Sequence, residues 1–220
     1  MELEQSAETT YRPARTHRET FPLTAHSLGD TWLVLLGQVL RHGKTVDDFS
    51  EVLDLAFQVP RMTLPDTIID RLGEEAQITE MRKVFHTAEP NRFGHSYRQL
   101  MAGPMPGDAI RSVVAMLASK RSTRQAVITL GNSGSHVPCV NVIQFMIRDE
   151  RLAVSYFARG QDLFNKFYAD AICIFDLARQ VADSLQLESV SLGGTIGSAH
   201  IYLRDRSRAL DVLRSAEKGA

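Results

Sequence analysis

The sequence predicts an α+β fold with a mixed or antiparallel sheet flanked by helices. Two observations carry this. Residues 140–149, VNVIQFMIRD, and 151–159, RLAVSYFAR, are apolar-rich runs separated by a charged turn, the pattern of a hairpin. Helical stripes stand apart from the strand runs, at 27–42, 107–121 and 168–187, without the regular strand–helix alternation of a parallel α/β protein.

Residues 1–22 are rich in Glu, Thr and Arg and read as a flexible lead-in. Residues 27–42 repeat apolar side chains at helical spacing, with Ser27 or Asp30 to cap the start and Gly43 after the end. FSEVLDLAFQVP alternates as a strand closed by Pro60. Residues 66–86 form a short, highly charged helix. GDAIRSVVAMLASKR follows as an amphipathic helix with Asp108 near its start and Lys120 and Arg121 at its end. QAVITLG, 125–131, is a strand. From Tyr168 to Leu187, Ala171, Ile174, Phe175, Ala178, Val181, Ala182 and Leu185 make one apolar stripe. ESVSLGGTIGSAHIYLRD reads as a strand, a glycine-rich turn and a second apolar stretch before a polar final helix. With no internal repeat and no linker, residues 23–220 are expected to form a single domain.

The chain has 220 residues, 44% hydrophobic and 23% charged, which is ordinary for a soluble globular protein. A net charge of -1 gives no electrostatic footprint for nucleic acid or a membrane surface. No apolar run approaches the roughly 20 residues of a membrane span, and the polar N-terminus lacks a secretion signal. Two cysteines, Cys139 and Cys173, are too few for a disulfide framework, so a reducing, cytoplasmic setting is expected.

Taken singly, the polar candidates have ordinary readings. Cys139, in His136-Val137-Pro138-Cys139, is either a small buried hydrophobe or a reactive thiol with Arg159 beside it. His200 and Tyr202 share one face of a strand, as donors to a sugar hydroxyl or as partly buried polar groups. Asp170 opens the long helix, where a carboxylate is commonly a cap. SLGGTIGSAH lacks the lysine and spacing of a phosphate loop, and no cluster has metal-ligand spacing.

Together they say more. PCVNVIQFMIRDERLAVSYFARGQDLFNKFYAD followed by GSAHIYLRD resembles the thymidylate synthase family. That family runs Pro-Cys-His, Gln-Phe, Arg-Ser-x-Asp, Pro-Phe-Asn and Asp-x-His-x-Tyr. Here Pro138-Cys139 leads to Gln144-Phe145, Arg159, Asp162, Asp170, and His200 with Tyr202. The likeness spans residues 130–205. Upstream it is weaker: Phe93-Gly94-His95-Ser96-Tyr97-Arg98 resembles Tyr-Gly-x-Gln-Trp-Arg, and Ser122-Thr123-Arg124 resembles the family's Ser-Arg-Arg.

The resemblance implies a thymidylate-synthase fold and covalent catalysis on a pyrimidine nucleoside monophosphate. Cys139 would attack C6, making C5 a nucleophile toward the one-carbon unit of 5,10-methylenetetrahydrofolate. Arg159 would hold the 5′-phosphate, joined by Arg124 from the second subunit of a homodimer. Gln144 would lie on the nucleotide, His200 and Tyr202 on the ribose 3′ oxygen, and Asp162 against the folate. Synthases have asparagine where Asp170 stands, whereas aspartate there marks the cytidylate hydroxymethylases. An aspartate accepts from the cytosine amino group, and a mismatched base would cost about 1–3 kcal/mol. The expected activity is therefore C5 hydroxymethylation of CMP or dCMP, with water quenching the methylene intermediate. The alternatives are a divergent uridylate methyltransferase and a catalytically silent nucleotide binder.

Several positions depart from the family. Val140 replaces the histidine after the cysteine, Gly160 a phosphate-binding serine, Phe93 a tyrosine linked to removal of the C5 proton, and Lys166 a glycine near the folate. The catalytic glutamate has no clear register; Glu74, Glu75 and Glu80 are the candidates. The sequence ends soon after His-x-Tyr, so a shortened or absent folate lid is expected, which would admit water.

Overall fold

The computed structural model describes residues 22–91, 96–102, 109–131 and 137–218. All but the last residue of the expected lead-in, together with Phe93, Gly94, His95, Asp108 and His136, lies outside them. In chain order the elements are β1 (Leu23–Thr24), α1 (Leu28–His42), β2 (Lys44–Val46), β3 (Phe49–Val59), α2 (Thr67–Leu72), α3 (Glu75–His86), α4 (Tyr97–Ala102), α5 (Ala109–Ser119), β4 (Val127–Thr129), β5 (Val140–Arg148), β6 (Arg151–Asp162), α6 (Phe167–Ser184), β7 (Val190–Tyr202) and α7 (Arg206–Lys218). The strands form one mixed sheet in the order β1-β3-β7-β6-β5-β4, with β2 paired to β3.

The expected hairpin is present: β5 and β6 pair antiparallel, with Arg148 opposite Arg151. Asp149 and Glu150 both take positive φ, 50° and 54°, the left-handed pair that matches the twist of a two-residue hairpin. β6 and β7 pair in parallel, so α6 between them is the crossover of a single β-α-β unit. On β6, Leu152, Val154, Tyr156 and Ala158 are buried, while Ala153, Ser155 and Phe157 are half-buried or exposed. One face of this strand therefore meets the helices and the other does not. Helix α6 is apolar almost all round, and its Tyr168 ring packs 4.7 Å from that of Trp32 on α1.

Three sequence expectations need correction. Residues 66–86 are two helices, because Asp66 caps α2 and Gly73 ends it before α3 begins. SLGGTIGSAH contains no turn: residues 190–202 are one continuous strand. Its glycines are sites of close approach, since a Cβ on Gly194 would sit 2.8 Å from the Phe57 ring, and one on Gly197 would sit 2.8 Å from the Arg159 carbonyl. Asp170 is not a cap either. Lys166 holds the N-cap position of α6, and Asp170 lies in the first turn, fully buried.

Asp66 ties two elements together. Its Oδ1 accepts from the amides of Ile68 (3.0 Å) and Ile69 (3.1 Å), and its Oδ2 accepts from the Gly29 amide of α1 (2.8 Å). Asp66→Ala removes a cap and leaves a buried amide unpaired; we expect a loss of about 3 kcal/mol in denaturant unfolding.

Candidate active site

The local sequence puts Cys139 where it can be reached. Residues 140–142 are out of register with β6: Val140 faces Ala158 and Val142 faces Phe157, leaving Asn141 as a bulge. The Asn141 side chain secures the kink, donating to the Pro138 carbonyl (3.0 Å) and accepting from the Arg159 amide (3.2 Å). The Arg159 amide also donates to the Cys139 carbonyl at 2.9 Å, so the cysteine and the arginine are held side by side. The Arg159 side chain donates from Nε and Nη2 to the Val137 carbonyl.

A pocket of about 540 Å³ opens there. Cys139, Arg159, Asp162, His200 and Tyr202 all line it, brought from the loop before β5, from β6 and from β7. His200 Nδ1 lies 3.1 Å from the Ser198 carbonyl, so Nδ1 carries a hydrogen and donates to it. The His200 and Tyr202 rings stand 5.4 Å apart, with the Arg204 guanidinium 4.4 Å over the tyrosine ring. Asp162 Oδ1 accepts from the amides of Phe164 and Asn165, which closes the turn leading into α6.

The opposite wall is α3. Gln77, Glu80, Met81 and Val84 recur at i, i+3, i+4 and i+7, so one helical face looks into the pocket. Of the three candidate glutamates, Glu80 is therefore the one at the site. Glu74 pairs with Arg208 elsewhere, and Glu75 is exposed at the start of the helix. Lys166 also lines the pocket, its Nζ 2.9 Å from the Met81 sulfur, a weak acceptor that leaves most of its donor capacity free.

Asp170 is not on the pocket surface. It lies behind it, fully buried, and its charge acts on two of the lining residues, Cys139 and Tyr97. Its Oδ2 accepts from Gln161 Nε2 at 3.0 Å, Gln161 Oε1 accepts from the Tyr156 hydroxyl at 3.2 Å, and Asp170 Oδ1 has no partner among the described residues. Burial pushes the Asp170 carboxyl up from its ordinary value, against the Lys166 ammonium and the Gln161 hydrogen bond. Burial also pushes the Cys139 thiol up, reinforced by the Asp170 charge and opposed by Arg159, Lys166 and the Tyr97 hydroxyl. That hydroxyl accepts from the Cys139 amide at 3.2 Å.

Two sequence candidates lie elsewhere. Gln144 sits on β5 opposite Val127, and its Nε2 donates to the Arg124 carbonyl at 2.9 Å. Arg124 is exposed on the segment before β4. Neither lines the pocket. Sequence reading missed Gln161, Tyr156 and Asn141, which act through backbone register and buried contacts. Among the described residues no three His, Cys, Asp or Glu side chains gather as metal ligands.

The solved structure of thermostable thymidylate synthase A from Bacillus subtilis superposes with a TM-score of 0.67 at 14% identity, covering 86% of this chain and 84% of that one. The fold is therefore that of thymidylate synthase. The profile of the family described as "Thymidylate synthase" matches residues 82–218, and the chain belongs to that family. It is also similar to two archaeal proteins provisionally named thymidylate synthases. The one from Methanococcoides burtonii is 23% identical over 207 residues, covering 89% of this chain and 95% of its own. The one from Methanosarcina mazei is 23% identical over 197 residues, covering 83% and 90%.

The electrostatics make a prediction independent of any substrate. Because the Asp170 charge helps to hold the proton on Cys139, Asp170→Asn should speed alkylation of Cys139 by iodoacetamide at neutral pH, by roughly 3- to 10-fold. The fully buried Cys173 should stay unmodified in both proteins. An unchanged rate would mean that the carboxylate does not act on the thiol. The linkage has a definite sign as well. A carboxyl whose folded pKa lies above its unfolded value costs stability as pH rises through the interval between them, and Asp170→Asn should remove that decline.

Proposed function

We propose that this protein is a one-carbon transferase that hydroxymethylates C5 of a cytidylate, CMP or dCMP. The observation that carries it is the convergence of Cys139, Arg159, His200, Tyr202 and Glu80 on one pocket, with a buried carboxylate, Asp170, where the family's synthases have an asparagine.

The reading assigns each group a task its chemistry suits. Arg159 holds the 5′-phosphate, since its guanidinium has no ion-pair partner among the described residues. His200 Nε2 and the Tyr202 hydroxyl hold the ribose 3′ oxygen. Cys139 adds to C6; burial favours the protonated thiol in the free protein, so the proton passes to solvent water as the S–C6 bond forms. The C6–S bond sends an electron pair to C5. That pair would bond to the one-carbon unit; Glu80, the carboxylate on the pocket wall, would take the C5 proton as tetrahydrofolate leaves, and once water has added to the methylene carbon the C6–S bond would break and release Cys139. 5,10-Methylenetetrahydrofolate would supply the one-carbon unit, and water would complete the hydroxymethyl product. Asp162 and Lys166, an acceptor and a donor set on the same wall, suit the polar edge of a pterin. Asp170 Oδ1, unpartnered and buried, would accept from the amino group of cytosine.

Arg124 enters this scheme only from a second subunit. A homodimer is supported by the side of β6 that the helices leave open, where Phe157 is 42% exposed. Sedimentation at micromolar concentration should show a dimer; a monomer removes Arg124 from the phosphate site.

A second reading, methylation of a uridylate, is favoured by the names of the archaeal relatives. Tritium release separates the two. [5-³H]CMP or [5-³H]dCMP should lose label in the presence of methylenetetrahydrofolate, and Cys139→Ala should lose none. Asp170→Asn should lower release from the cytidylate and raise it from [5-³H]dUMP. If dUMP is the better substrate of the unaltered protein, the uridylate reading replaces ours. If no nucleotide loses label, the protein is a binder only.

A further inference from the structure

The Tyr156–Gln161–Asp170 chain is buried throughout. Gln161 is 1% exposed, Tyr156 2% and Asp170 0%. A glutamine amide has one accepting end and one donating end, so its orientation decides which partner receives a proton. Here the Tyr156 hydroxyl donates to Oε1, and the nitrogen is thereby turned to Asp170 Oδ2. The reverse orientation would set Oε1 against a carboxylate oxygen, two acceptors face to face. Oδ2 is thus occupied from the protein side, while Oδ1 is closed to the surface and has no partner among the described residues. A group left in this state is completed by a ligand that donates to it.

We infer that Gln161 is a positioning residue for base selection: anchored by Tyr156, it occupies one oxygen of Asp170 and leaves the other to accept from an exocyclic amino group. The inference rests on the reading that Asp170 meets the base. It also requires the cover between the pocket and Asp170, which is fully buried in the free protein, to open as the base enters. Selection follows from the lone pairs. An ionised Oδ1 accepts from the 4-amino group of cytosine and opposes the 4-oxo group of uracil.

The groups around this carboxylate are Lys166 at the cap of α6, Asp162 at the end of β6, Tyr156 on β6, Tyr97 on α4, Cys139 before β5 and Cys173 on α6. Of these, Lys166 favours its ionised form and Asp162 opposes it. A proton arriving on Asp170 settles on Oδ1, because Oδ2 is taken by Gln161, and it converts the free acceptor into a donor. Selection of an amino base is therefore present above the folded pKa of Asp170 and lost as pH falls through it. Removing the Gln161 donor takes a hydrogen bond away from the charged form and moves that loss to higher pH.

The test is titration calorimetry of CMP and UMP against the unaltered protein, Gln161→Leu and Tyr156→Phe, from mildly acidic to mildly alkaline pH. The unaltered protein should bind CMP more tightly, and the preference should shrink on acidification. Gln161→Leu, close in shape but without a donor, should cut the CMP:UMP preference about 10-fold and move its pH midpoint up by about 1 unit. Tyr156→Phe removes one hydroxyl, frees the amide to reverse, and should shift both quantities the same way by less. A merely structural role would weaken both nucleotides equally and leave the midpoint in place, and that result overturns the inference. So does a Tyr156→Phe protein that keeps both values, whether or not Gln161→Leu folds. An unaltered protein that binds UMP as tightly as CMP overturns the cytidylate reading itself, in an arm that involves no variant.

Discussion

The carboxylate of Asp170 has no access to water, and much of the site is arranged around that fact. A buried charge is costly unless something compensates it. Here the compensation comes from three sides: the Gln161 amide, the Lys166 ammonium, and the N-terminal turn of α6, whose free amides carry partial positive charge. The carboxylate stays where it is because α6 is gripped by the sheet on one side and by α1 and α3 on others. Its influence reaches Cys139, Tyr97, Tyr156 and Cys173, each of which it makes harder to ionise. After burial itself, this charge is the next largest influence that keeps those groups protonated.

Much of this was legible in the sequence because it is local. The β5–β6 hairpin and helices α1, α5 and α6 announce themselves by period and punctuation. The spacing of Cys139, Arg159, His200 and Tyr202 could be matched to a family, and all four reach one pocket. The glycines of β7 misled, because a glycine pair marks a turn in most contexts. The reason lies 137 residues away in sequence, from Gly194 to the Phe57 ring packed against it. Period-based reading has no access to such a neighbour.

The same limit hid the supporting residues. Gln161 reads as one more polar residue near a strand end, and only the pairing of β6 with β7 and the docking of α6 reveal that it faces Asp170. Asn141 matters through a one-residue mismatch between strands, a property of two segments rather than one. Glu80 is set apart from Glu74 and Glu75 only by standing on the face of α3 that lines the pocket. Gln144 and Arg124 show the converse: they are bonded to each other, away from the pocket, so their sequence match alone does not give them a place in it.

The two halves of the pocket differ in how freely they can change. The half formed by β6, β7 and the start of α6 is interlocked with the core, down to Gly194 and Gly197, where an added Cβ would sit 2.8 Å from a neighbour. The half formed by α3 is a single helical face, on which exposed Glu80 and half-buried Gln77 stand beside buried Met81 and Val84. Substitutions at those outward positions leave the packing beneath them untouched. A change at Gln77 can therefore alter what the pocket admits without disturbing the core, whereas Glu80 carries the task proposed for it and the opposite wall is fixed by its packing.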